Sequence, residues 1–309
     1  MSTHHHHDHH PHGHDHMPTT QSLNKAFAWS VILNLGFTLA EIIYALLANS
    51  MSLLADAGHN FSDVIGLLFA WGATWLLTRP AQGRFSYGYK KTTILAALAN
   101  ALILILATGM IAYESIHRLM HPAIINEKLV IIVALIGIII NGGTALLFMR
   151  GRESDLNVKA AFLHLASDAF IALGVVFTGI IIYYVHWLWL DPVVGLAIVL
   201  AILIGTWGVL RDSINLIMDA VPMGLDHSAV EEYLSNIKGV TAIHDLHIWG
   251  LSTREVALTA HLVMPNDNLT DENYLQISRE LKSRFKINHV TLQVEKGSLE
   301  HMCEQIETC

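Results

Sequence analysis

Two copies of one short pattern place an imidazole and a carboxylate four residues apart inside apolar stretches: His59-Asn60-Phe61-Ser62-Asp63 and His164-Leu165-Ala166-Ser167-Asp168. In an α-helix, residues four apart lie on one face, about one turn from each other. Each copy therefore presents a nitrogen and a carboxylate side by side. Two copies face to face offer two nitrogens and two oxygens, a set suited to tetrahedral Zn²⁺ and open also to Cd²⁺ or Co²⁺. A thiolate site would favour Cu⁺, and an all-oxygen site Mg²⁺ or Mn²⁺. An Asp at the centre of a membrane helix costs about 2.5–3.5 kcal/mol on insertion scales. Four ionisable groups at such depth need a partner, and a metal is the simplest one. A lone membrane His bonded to a backbone carbonyl is the plain alternative, but it does not explain two pairs of identical spacing. Asp56 lies on the His59–Asp63 face at i, i+3, i+7 and reads as a packing residue or one that orients the His59 ring.

Other chemistries find no support. There is no HExxH run of a zinc protease, no phosphate-binding loop and no aspartyl-phosphate signature. Catalysis is not expected, and a proton gradient is the available energy source. The remaining readings are a broader divalent-metal exporter, or a membrane sensor or buffer that binds metal without moving it.

The elements that must position these residues follow from composition. Of 309 residues, 53% are hydrophobic and 14% charged, the mark of a membrane protein with some soluble mass. Runs of about 20 apolar residues predict six spans, near 27–48, 52–77, 93–117, 128–149, 157–186 and 191–210. Lys25, Arg79, Arg84, Lys90, Lys91, Arg150, Arg152, Lys159 and Arg211 fall on one side, against Arg118 and Lys128 on the other. By the positive-inside rule both termini face the cytoplasm. No cleavable signal peptide is expected, because the first twenty residues are polar and rich in His. That points to a bacterial plasma membrane. The net charge of −8 argues against a nucleic-acid partner.

Residues 1–21 form a His-rich tail with little to bury, expected to be disordered. Interruptions by Asp8, Pro11, Gly13 and Asp15 favour a metal-gathering tail over a purification tag. A spanning domain is expected over 22–219 and a soluble domain over 220–297, followed by a tail (298–309) that holds both cysteines. In the soluble part, helices over 226–238 and 271–285 and strands over 240–251, 255–264 and 289–295 give the order αββαβ. Thr270 is the expected N-cap of the second helix.

Here the residues carry a resemblance. The run Ser50-Met51-Ser52-Leu53-Leu54-Ala55-Asp56-Ala57-Gly58-His59, continuing to Asp63, resembles the second-helix signature of cation diffusion facilitators. Asn157-Val158-Lys159 through His164 and Asp168 is similar to that family's other half-site. Arg84-Phe85-Ser86-Tyr87-Gly88 and His244-Asp245-Leu246-His247-Ile248-Trp249 agree with it too. The resemblance covers residues 22–297, and the double HxxxD places the chain among the zinc-type members. It implies a homodimer of six-helix protomers, each with a ferredoxin-like cytoplasmic domain. Each protomer would export Zn²⁺ in exchange for H⁺ by alternating access, with His59, Asp63, His164 and Asp168 as transport ligands.

The resemblance also implies a salt bridge between protomers through Lys91 and Asp219. It further implies a cytoplasmic zinc site from His244, His261 and Glu295, with Cys303 and Cys309 as further candidates. Packing of His244 and His247 within the sheet is the alternative there. Two departures stand out: Thr93 replaces an acid, and Gln293 replaces a His. The loop 78–90 also has no His or Asp, so the zinc site that some relatives build there is expected to be missing. Asn34, Thr38 and Glu41 form one stripe, read as facing a water-filled vestibule or as packing. Asn100 and Asn141 read as interhelical hydrogen-bonding residues.

Overall fold

A computed structural model describes residues 20–149, 156–266 and 269–297. The order is α1 (Thr20–Ala48), α2 (Met51–Leu77), α3 (Thr92–Met120), α4 (Glu127–Phe148), α5 (Leu156–Val185), α6 (Leu190–Ile217), α7 (His227–Ser235), β1 (Ala242–Gly250), β2 (Val256–Val263), α8 (Asp271–Phe285) and β3 (Ile287–Glu295). Five of the helices, α2 to α6, have the length and composition to cross a membrane. α1 adds a shorter apolar stretch, Ile32–Ala48. The chain is thus a multi-pass membrane protein with six spanning helices and a C-terminal α+β domain. Many large apolar side chains along the helices are exposed, Trp71, Leu106, Met110, Ile139 and Ile204 among them. In a bilayer that surface meets lipid.

The chain divides into two compact units. One runs to Asn60 and includes His121–Val194. In it α4 packs along α5, and α1 along α4. The close approach depends on Gly137, where a Cβ would lie 3.0 Å from the Phe37 ring, and on Gly179, where it would lie 2.7 Å from Ile131. Small residues at such crossings let the helices interlock without a hydrophobic drive. The α1–α2 turn is held by polar bonds: the Asn126 N–H donates to Ala48 O (2.9 Å), and the Asn49 amide donates to Ile124 O (3.1 Å). Asn49 itself is left-handed (φ 56), a conformation that Asn tolerates.

The other unit comprises Phe61–Met120 and everything from Gly195. The sheet order is β1-β2-β3, with β1 and β2 antiparallel and β2 and β3 parallel. The parallel pair needs a crossover, and α8 supplies it. Val230 and Leu234 of α7 and Ile277 and Leu281 of α8 pack on Ile248, Leu258, Ala260, Leu262 and Ile287 of the sheet. Asp226 caps α7 through the Ser228 N–H, and Thr270 caps α8 through the Asn273 N–H, as the sequence predicts for Thr270.

Helix α6 runs seven residues past the C-terminal end of its predicted apolar run. Arg211 and Asp212 end the hydropathic window, but nothing breaks the helix until left-handed Asp219 and then Pro222. The extension carries Leu216 to Gly250 of β1, where a Cβ would lie 2.8 Å from the Leu216 side chain. Lys91 and Asp219 meet within this one chain, Nζ to Oδ1 2.6 Å. Lys90 pairs with Glu255 at 2.5 Å, and the Thr253 N–H donates to Thr93 Oγ1 at 3.1 Å. Thr93, the residue found in place of an acid, thereby fastens the β1–β2 hairpin to the first turn of α3.

A branched side chain at Gly179 has no space against Ile131. Gly179→Val is expected to lower stability by about 1–3 kcal/mol. Gly205→Ala, with no atom within 4 Å of the new Cβ, should melt like the wild type when both are followed by thermal unfolding in detergent.

Candidate metal centre

Helix α2 runs unbroken from Met51 to Leu77, so His59 and Asp63 stand one turn apart on one face, with ligand atoms within 4.8 Å. His59 lies about 12 Å along the helix from its first residue. On α5, His164 and Asp168 repeat the arrangement, Nε2 to Oδ2 3.6 Å. The helices of the first unit bring the copies together. Asp168 Oδ1 lies 3.7 Å from His59 Nε2, and the imidazoles meet edge to face at 6.0 Å. One carboxylate thus stands between two imidazoles. A tetrahedral Zn²⁺ with bonds of about 2.0–2.2 Å separates its ligand atoms by about 3.4 Å, close to the spacing seen. Exposure is asymmetric: the Asp168 side chain is 4% exposed and that of His164 46%. Ser167 is not part of the set, because its hydroxyl donates to Leu163 O at 2.9 Å.

A polar layer backs this face. Glu41 is fully buried and accepts from Asn60 Nδ2 at 3.1 Å, and the buried Asp56 faces it. Of the Asn34, Thr38 and Glu41 stripe, Thr38 and Glu41 are buried and Asn34 is half-buried. In the second unit, the Asn100 amide lies against Gly66.

Sequence reading missed Asp191. This buried carboxylate in the first turn of α6 accepts four bonds from the start of α2: Ser50 Oγ (2.6 Å), Met51 N (2.5 Å), Ser52 N (3.2 Å) and Ser52 Oγ (2.6 Å). It acts as an N-cap supplied by another helix, with its negative charge at the positive end of the α2 dipole. The run Ser50-Met51-Ser52 was a cap signal, but its partner lies some 140 residues away. By fixing the first turn of α2, Asp191 sets the rotation at which His59 is presented two turns later.

A second cluster forms in the C-terminal domain. His244 pairs with His261 across β1 and β2, and Glu295 on β3 reaches both, at 3.0 Å from His244 Nε2 and 2.9 Å from His261 Nδ1. Ligand atoms of the three lie within 4.8 Å of one another. A bulge between His244 and His247, with Asp245 left-handed (φ 53), breaks the alternation of β1. Asp245 is thereby brought 3.4 Å from His261 and 2.8 Å from His247. The regular strand expected here gives no signal for that contact. Burial alone would raise the Glu295 carboxyl, but the His244 hydrogen bond and the neighbouring imidazoles outweigh it and hold the group below its usual range. Cys303 and Cys309 lie outside the described residues, as do residues 1–19 of the His-rich tail.

Comparison with known proteins decides the family. Residues 28–218 match the cation efflux transmembrane domain, and residues 222–297 match the cytoplasmic domain of cation efflux proteins. The chain belongs to the cation efflux family. It is 35% identical to the metal cation efflux system protein CzcD of Cupriavidus metallidurans over 88% of this chain and 85% of that one. It is 34% identical to the cadmium, cobalt and zinc/H(+)-K(+) antiporter of Bacillus subtilis over 90% of each. It is 32% identical to the zinc transporter ZitB of Escherichia coli over 84% of this chain and 83% of that one. The chain is therefore a metal-cation efflux transporter and not an enzyme, and both the six-span reading and the resemblance to cation diffusion facilitators hold.

Removing Asp191 leaves two hydroxyls and two backbone N–H groups without their acceptor. Asp191→Ala is expected to cost about 2–4 kcal/mol and to speed amide exchange at residues 51–54, read by hydrogen-exchange mass spectrometry. For Glu295 the sign of the pH dependence is fixed. A depressed folded pKa adds stability above the ordinary carboxylate pKa, and that stability is lost as pH falls through the folded value. In metal-free protein, Glu295→Gln should therefore melt below the wild type at pH 7, with the gap closing under pH 4.

Proposed function

We propose that this protein exports Zn²⁺ from the cytoplasm in exchange for protons. His59, Asp63, His164 and Asp168 carry the ion in this reading. The observation behind it is the Asp168 carboxylate set between the two imidazoles at 3.6–3.7 Å. Coordination requires neutral imidazole and ionised carboxylate, so protons compete for the same atoms as the metal. An imidazole ordinarily changes charge near pH 6.5, between a neutral cytoplasm and a more acidic outer face. Protonation from outside then expels the ion, and return of the protonated site brings protons inward. Cd²⁺ and Co²⁺ suit the same donors, and one relative is named for all three metals.

In this reading the protein is a homodimer in a bacterial plasma membrane with both termini in the cytoplasm. The excess of Lys and Arg on one side and the bacterial sources of the relatives support that placement. Lys91 and Asp219, implied by the family resemblance to pair between protomers, pair within one chain in the structure and hold the boundary between spanning helices and C-terminal domain. His244, His261 and Glu295, joined by Asp245, would hold a resident zinc that ties the three strands together. The donor set fits: nitrogen and carboxylate ligands converge, and His244 Nδ1 is buried without a hydrogen-bond partner among the described residues.

The test is Zn²⁺ flux in proteoliposomes under an imposed pH gradient. Wild type should move Zn²⁺ only with the gradient. Asp63→Ala and Asp168→Ala should each lose more than about a hundredfold, beyond the 10–100-fold typical of losing an outer-shell partner. Zinc binding without gradient-driven flux in folded wild type would favour a sensor instead.

A further inference from the structure

The C-terminal domain carries a feature that metal transport does not use. An open cavity of about 590 Å³ is lined by Arg254, Arg279, Lys282, Ser283, Lys286 and Asn288. Four of the six are cations and none is an acid, in a chain where Asp and Glu outnumber Lys and Arg by 26 to 18. On α8, Arg279, Lys282 and Ser283 share a face at i, i+3, i+4, and Lys286 follows as the left-handed cap. Arg254 faces them from the β1–β2 hairpin. Among the described residues, none of the four cations has an acidic partner. On the neighbouring surface of α8, by contrast, Arg284 lies 4.0 Å from Glu280. Cations near a helix C-terminus complement its dipole, which accounts for Lys282 and Lys286. It does not account for Arg279, two turns back, or for Arg254 on a different element.

The position of the cavity says what faces it. The neighbours of Arg254 are fastened to the start of membrane-crossing α3, Thr253 to Thr93 and Glu255 to Lys90. Beside Asn288, His289 packs edge to face on Tyr87 at 5.6 Å. Both rims are therefore anchored to residues 87–93, where the chain enters the bilayer. Guanidinium groups bind phosphate oxygens in a fork, and cations at a membrane surface attract anionic lipid.

We propose that this cavity binds the phosphate of an anionic phospholipid headgroup and so holds the C-terminal domain against the membrane. The chemistry is that of a phosphate monoanion, and the adjacent α3 entry point makes the bilayer its source.

The full chain would be reconstituted in phosphatidylcholine vesicles doped with phosphatidylglycerol carrying a photoactivatable headgroup, and labelled peptides mapped by mass spectrometry. Label is expected within residues 279–288. It should fall about fivefold for each cation removed in Arg279→Gln and in Arg279→Gln/Lys282→Gln, and stay unchanged in Lys238→Gln, an exposed cation outside the cavity. Unaltered zinc-binding stoichiometry shows that the variants are folded. Label missing from 279–288, or insensitive to the double variant, overturns the proposal. Loss of label on adding millimolar inorganic phosphate, at constant ionic strength, overturns the headgroup as source and assigns the cavity to a soluble phosphate.

Discussion

A carboxylate in hydrocarbon has no water to hydrogen-bond, so the protein itself or a bound ion must meet it. The buried acids of the first unit answer this in different ways. Asp191 takes four donors from the start of α2 and needs nothing more. Glu41 takes the Asn60 amide and faces Asp56. Asp168 lies instead between two imidazoles at distances too long for hydrogen bonds but close to those of ligands around one centre. Asp191 thus fixes the helix that presents His59, and Asp168 stands between the His59 and His164 imidazoles.

The same constraint shapes the junction with the soluble domain. Lys90, Lys91 and Thr93, around the first turn of α3, are held by Glu255, Asp219 and the Thr253 N–H. Exposed ion pairs add little stability one by one. Their placement has more meaning: each joins a membrane helix end to the soluble sheet or to the segment that leads into it.

What could be read from sequence divides along physical lines. The spans follow from a property summed over some 20 residues, and the HxxxD pairs from helix geometry over four. Both are local, and both are found in the structure, down to Thr270 as the cap of α8. The misses are contacts set by the tertiary fold. Ser50 and Ser52 gave no hint that their acceptor is Asp191. Asp245 reaches His261 only because a bulge breaks the period of β1, and a strand pattern assumes that period. The helical extension of α6 beyond its apolar span is invisible for a different reason: hydropathy marks where a helix leaves lipid, not where its hydrogen bonding stops.

The two His–carboxylate clusters use the same donor types at different spacing. In the C-terminal domain Glu295 lies 2.9–3.0 Å from His244 and His261. Glu295 hydrogen-bonds both imidazoles while His244 Nδ1 has no partner among the described residues, so a metal entering there would part existing hydrogen bonds. That suits a resident ion whose binding is tied to the conformation of the sheet. In the membrane, Asp168 stands 3.6–3.7 Å from the imidazoles of His59 and His164, close to the spacing of ligands around one ion. Half-exposed His164 beside buried Asp168 also gives such an ion an open flank. The proton-coupled cycle proposed above would need that kind of site: open on one side and made of groups that a proton can claim.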